Sequence, residues 1–142
     1  MAKGLSGSAP LEPTENMSSA IVATARDAAA LLAPVLAPAG AGAVAILHLD
    51  AERRLIGIGG HEAEEDPGTL PIRAIIAEAL RLGAEGIVLG RNRPDGDASP
   101  GEAEREAARA LADTARSLGI RLFDLLVFSA GEVRSFRELG LL

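Results

Sequence analysis

The densest run of chemically capable residues is Arg91-Asn92-Arg93-Pro94-Asp95-Gly96-Asp97-Ala98-Ser99-Pro100-Gly101-Glu102-Ala103-Glu104. Side chains two apart on an extended segment point the same way, so Arg91 and Arg93 would act together. A guanidinium stays protonated and presents a planar fork of donors, which suits a carboxylate or phosphate and cannot ligate a metal. Asp95, Asp97 and Glu104 bring carboxylates to the same run, and carboxylates suit oxygen-preferring cations. Two opposed chemistries therefore meet here: an anion held by Arg91 and Arg93, or a cation held by the three acids. A calcium loop is excluded. Asp95, Asp97, Ser99 and Glu106 have its spacing, but Pro100 stands where the loop needs glycine, and a strand rather than a helix precedes it.

The elements around this run must position it. Gly86 to Gly90 (GIVLG) reads as a buried strand, with a polar loop from Arg91 to Pro100. Ser99-Pro100-Gly101-Glu102 reads as a capping box that opens a helix running to about Leu118. That helix buries Ala107, Leu111, Ala115 and Leu118, and Gly119 closes it. A loop that leaves a strand and enters a helix N-terminus is where α/β folds place ligands, anions above all. Upstream, residues 1–17 read as a mobile tail and 18–37 as a helix that Pro34 stops or kinks. Ala43 to Leu49 and Arg54 to Gly59 form a hairpin. His61 to Gly68 reads as an exposed acidic loop. Leu70 to Leu82 is a helix with Ile72, Ile75, Ile76, Ala79 and Leu80 on one face, ended by Gly83. Arg121 to Ser129 is an apolar strand and Glu132 to Phe136 an edge strand. The order predicts an α/β sandwich on a mixed sheet.

The segment IVLGRNRPDGDASPGEAE resembles the signature of RadC-like JAB (MPN) domains. In that family a strand runs into His-x-His-Pro-Ser-Gly-Asp, then Pro-Ser and an acid at the head of a helix. AILHLDAERRLIG, IRAIIAEALRLGAEGIVL and LGIRLFDLLVFSAGEVRSFRELGLL resemble the family's first hairpin, its helix and strand, and its C-terminal end. The resemblance covers residues 43–142. It implies a JAB/MPN-like, cytidine-deaminase-like three-layer α/β sandwich, with the N-terminal helix as an addition. It also implies a site where two histidines and an acid bind zinc and an upstream glutamate moves the proton of the bound water. Here Arg91 and Arg93 stand at the two histidine positions and Glu104 at the acid. Asp95 and Gly101 replace the serines, Leu125 replaces a histidine that often follows the aspartate at 124, and no acid lies between Asp27 and Asp50. Asn92, Pro94, Gly96, Asp97 and Pro100 keep the motif's scaffold. An Arg91–Glu104 ion pair is expected at the former metal position.

Composition bears on the same question. The 142 residues include no cysteine and two histidines, His48 and His61, neither in the motif. Thiolate sites and three-histidine sites are excluded within one chain. Tyr and Trp are absent and the three Phe fall in the last twenty residues, which argues against a base-stacking nucleic-acid binder. The net charge of −6 disfavours phosphate backbones and anionic membranes. The uncharged stretch from Ala28 to Leu49 is broken by Pro34, Pro38, Gly40 and Gly42, so no membrane span is expected. The resemblance implies a bacterial RadC-like domain; with no signal-like or membrane segment expected, a cytoplasmic location is predicted, without zinc or another cofactor. Its expected role is that of a pseudoenzyme kept to bind a protein partner or a second copy. Two alternatives are a metal-dependent, isopeptidase- or metalloprotease-like hydrolase with a rearranged carboxylate site at Asp95, Asp97 and Glu104, and an anion or nucleic-acid binder working through Arg91 and Arg93.

Overall fold

The uncharged run VAILHL folds as the strand β1 (Val44–Leu49), buried along its whole length. A strand that reads as a continuous apolar run must be covered on both faces, and here it is. The computed structural model describes residues 20–62, 69–93, 96 and 100–142. In chain order the further elements are α1 (Ala25–Leu36), β2 (Leu55–His61), α2 (Ile72–Leu82), β3 (Gly86–Asn92), α3 (Glu102–Ser117), β4 (Arg121–Ser129) and β5 (Glu132–Ser135). The strands form one sheet in the order β2-β1-β3-β4-β5. Only β3 and β4 are parallel, joined by the crossover helix α3; the other pairs are antiparallel. Helices α2 and α3 cover one face, around Ile75, Leu89, Leu111 and Phe136. Helix α1 covers the other, around Leu32, Leu36, Leu47 and Leu126. This is the three-layer α/β sandwich.

Several boundaries differ from the sequence reading. Helix α1 begins at Ala25, well after Ser18, because Thr24 and Asp27 form a reciprocal capping box. Asp27 N donates to Thr24 Oγ1 at 3.1 Å and Thr24 N donates to Asp27 Oδ2 at 3.2 Å. The preceding residues run beside the edge of β2, where Leu55 N donates to Ala20 O and Val22 N to Arg53 O. Pro34 lies within α1 and does not end it. Nor is α1 an appendage: Ala28, Leu32 and Leu36 are fully buried, and truncating one such leucine costs about 2–5 kcal/mol.

Strand β2 extends to His61, which is buried, so that residue is not in an exposed loop. Strand β3 extends through Asn92, which takes Arg91 and Asn92 out of the loop and into the sheet. Helix α3 begins at Glu102 rather than Pro100, with Gly101 as its N-cap and no side-chain bond there; Ser99, the expected cap, lies outside the described residues. Ala108 takes the fully buried place expected for Ala107, while Leu80 and Leu118 are about half exposed. Leu80 lies beside the apolar stripe of α2, and Leu118 is the C-cap of α3, past its last helical residue. The expected tail at 1–17 and the acidic residues 63–68 lie outside the described residues.

His48 is fully buried in β1, opposite Gly57 of β2 and Ile87 of β3. Its Nε2 lies against Gly59, and neither ring nitrogen has a hydrogen-bond partner among the described residues. Burial holds its pKa down at about 4; Glu78 opposes the shift, while Arg81 and His61 reinforce it. The folded state therefore resists protonation that the unfolded chain accepts. Stability from this residue is fully present above pH 6.5 and is lost as the pH falls from 6.5 to 4, by up to about 3 kcal/mol. Urea unfolding of the wild type and His48→Leu across that range checks this. The gap between the two should move by that amount for the wild type alone to have lost stability at the acid end.

Candidate functional site

Alternation along β3 turns Arg91 toward α2 and α3, with Ile87 and Leu89, and turns Asn92 toward α1, with Val88. Arg91 sits at the end of the strand, in register with Val44 of β1 and Val127 of β4, and is 3% exposed. Glu104 lies in the first turn of α3, where the unpaired N–H groups favour a carboxylate, and is 2% exposed. The two meet. Arg91 Nη1 lies 3.5 Å from Glu104 Oε2, while Arg91 Nη2 donates to Thr69 O at 2.6 Å. Arg93 Nη2 donates to the other carboxylate oxygen, Glu104 Oε1. One carboxylate is thus shared by two guanidiniums, and Arg91 also ties the segment before α2 to the sheet.

Asn92 does different work on the opposite face. Its amide nitrogen donates to Leu36 O at 3.0 Å and Ala39 O at 2.9 Å. The last carbonyls of a helix lack partners within the helix, so Asn92 satisfies the end of α1 and fixes the motif strand to it. The sequence reading paired only Arg91 with Glu104. It missed Arg93 as the second partner, although the two-residue spacing signals it. The role of Asn92 had no signal beyond parity, because α1 is far away in the chain.

Pro94, Asp95 and Asp97 lie outside the described residues, and Gly96 is exposed. His61 lies on the same face as Arg91 and in the same row of the sheet, across Val44. Two strand spacings, roughly 10 Å, separate their backbones. Among the described residues no group of three or more His, Cys, Asp or Glu is placed to hold a metal ion. The donor set at the motif does not fit zinc. Its two leading positions are guanidiniums with no lone pair to give, and its carboxylate is already engaged by both. The same engagement holds Arg91 in the interior, while the Arg93 side chain stays 27% exposed.

Asp124 forms a second buried polar centre, which sequence reading treated only as the neighbour of Leu125. A bulge at Phe123 disrupts the β3–β4 register. Asp124 then accepts from Ser135 Oγ at 2.5 Å and from Arg137 N at 3.0 Å, fastening β5 and the following turn to β4.

A profile of the RadC-like JAB domain matches residues 22–141. The chain belongs to this family. The match begins ahead of residue 43 and takes in α1, in keeping with its place in the core. UPF0758 proteins are among its relatives. One from Symbiobacterium thermophilum is 40% identical over 70 residues, covering 49% of this chain and 30% of that protein. One from Bordetella petrii is 37% identical over 101 residues, covering 68% and 43%. One from Vibrio atlanticus is 35% identical over 96 residues, covering 67% and 43%. The chain thus spans less than half the length of these relatives.

Removing one partner of a buried ion pair leaves an uncompensated charge, whereas replacing both with apolar residues is often neutral. Glu104→Gln is therefore expected to cost about 3–5 kcal/mol in urea unfolding. The triple variant Arg91→Met/Arg93→Met/Glu104→Leu, which removes both guanidiniums with the carboxylate, should recover most of that loss.

Proposed function

We propose that this chain is a non-catalytic RadC-like JAB domain that serves as a protein-interaction or assembly module. The observation that carries the reading is the shared carboxylate. The acid left at the family's metal position is occupied by the two arginines that replace the histidines. A fixed positive charge stands where a divalent cation would compensate Glu104, so the local electrostatics are satisfied without metal. Guanidinium supplies the charge but neither an open coordination position nor an acidified water, which are what a metal contributes to hydrolysis. What the fold retains is a rigid three-layer scaffold with surfaces for partners. No helix among the described residues is long and apolar enough to cross a membrane. We place the domain in the bacterial cytoplasm, the bacterial part of this reading supported by its bacterial relatives.

Elemental analysis of protein purified without chelators tests the reading. Substoichiometric zinc and manganese are expected; one zinc or manganese per chain overturns it. A gain-of-site variant sharpens the result. Arg91→His/Arg93→His places imidazoles two residues apart beside Glu104 and should gain zinc-dependent thermal stability, since a ligand that binds only the folded state raises the melting temperature. The wild type should show no such gain.

A further inference from the structure

About 18 Å along α3 from Glu104, at the helix's other end, lies a groove of about 760 Å³. It runs between the C-terminal half of α3, the start of β4 and the segment after β5. Four arginines line it: Arg109, Arg116, Arg121 and Arg137. Asp113 is the carboxylate in that lining among the described residues, and it is held by Arg116 at 2.5 Å. Arg109 and Arg121 make no ion pair among the described residues. Arg121 stacks near the Phe123 ring, 5.3 Å from its centroid. Arg137 donates to Phe123 O at 3.0 Å and likewise has no carboxylate partner among the described residues. Arg137 also borders a smaller cavity of about 300 Å³, where Arg53 lies 4.3 Å from the Phe123 ring centroid.

This placement runs against the charge of the molecule. The chain carries 20 acids and 14 bases, and elsewhere Arg54, Arg81, Arg91, Arg93 and Arg134 each face a carboxylate. Arg109, Arg121 and Arg137 face none among the described residues and meet in this one groove, whereas Arg26, Arg73 and Arg105, which also lack one, lie outside it. At physiological salt the field is screened within about 8 Å, so a local cluster dominates what a docking chain meets there. The groove is also apolar in part. Ile120, Leu122, Leu141 and Leu142 line it, and Leu142 is 41% exposed. Guanidiniums beside exposed leucine suit carboxylates interleaved with aliphatic side chains. Nucleic acid fits less well, because a phosphate backbone offers nothing to the leucines and the whole chain repels it.

We propose that this groove docks an acidic, leucine-containing peptide segment of a partner protein. The inference rests on the non-catalytic interaction reading and names where that interaction occurs. The test is an NMR titration of the ¹⁵N-labelled chain with three probes. They are a synthetic peptide alternating Glu and Leu, its Gln–Leu counterpart, and a short DNA duplex. The acidic peptide should shift the amides of Gly119, Leu122 and Leu141, and should weaken as salt rises. Arg109→Gln/Arg121→Gln removes two exposed, unbridged charges and should cost at least about tenfold in affinity with an unchanged melting temperature. Equal binding of the Gln–Leu peptide, full binding by the double variant, shifts confined to other surfaces, or tighter binding of the duplex each overturns the proposal. Metal content of the same sample separates the two readings. Peptide binding with stoichiometric zinc keeps the groove and removes the non-catalytic reading. No peptide binding in metal-free protein removes the groove alone.

Discussion

The rest of the site depends on one buried carboxylate. Glu104 is 2% exposed, and an isolated charge at that depth would be too costly to keep. Its compensation comes from Arg91, anchored in the sheet, and Arg93, just past the strand end. Because Arg91 also binds Thr69 O, the same charge centre joins β3, the start of α3 and the approach to α2. Asn92, one residue along, fixes that strand end to α1 on the opposite face. Three layers thus meet at three consecutive residues. Arginine forks hold this junction with charge and hydrogen bonds.

This junction separates fold from chemistry. A β3–α3–β4 unit delivers a strand end and a helix N-terminus to the same point whether or not a metal sits there. The scaffold's geometry persists because it rests on packing: Leu89 and Leu111 on one face, Leu32 and Leu36 on the other, all fully buried. What differs is the donor set. Arginines stand at the two histidine positions of the resembled motif, and the carboxylate of Glu104 meets both of them.

Much of this was legible in the residues. Continuous apolar runs marked β1 and β4, helical spacing marked α2 and α3, and the motif's two-residue spacing put Arg91 and Arg93 on one side. The resemblance pointed to Glu104 as the partner of Arg91, though not of Arg93. Boundaries were less legible for specific reasons. Strand β3 runs past Gly90 because Arg91 is buried by an ion pair, and a charged residue normally signals the end of a buried strand. His61 belongs to β2 although acids follow it directly, since its burial depends on β1 and on the packed face. Serines ahead of α1 looked like a cap, yet the reciprocal Thr24–Asp27 bonds fix the start later. Asp124 reaches Ser135 and the backbone of Arg137 through a bulge, a backbone feature that composition does not announce.

The central claim is that two guanidiniums occupy Glu104 and leave no place for a metal. A crystal structure grown in excess zinc, with anomalous data collected at the zinc edge, tests it most directly. The account predicts both guanidiniums on the Glu104 carboxylate and no anomalous peak beside it. A zinc peak on Glu104, with Arg91 and Arg93 swung away, would contradict it.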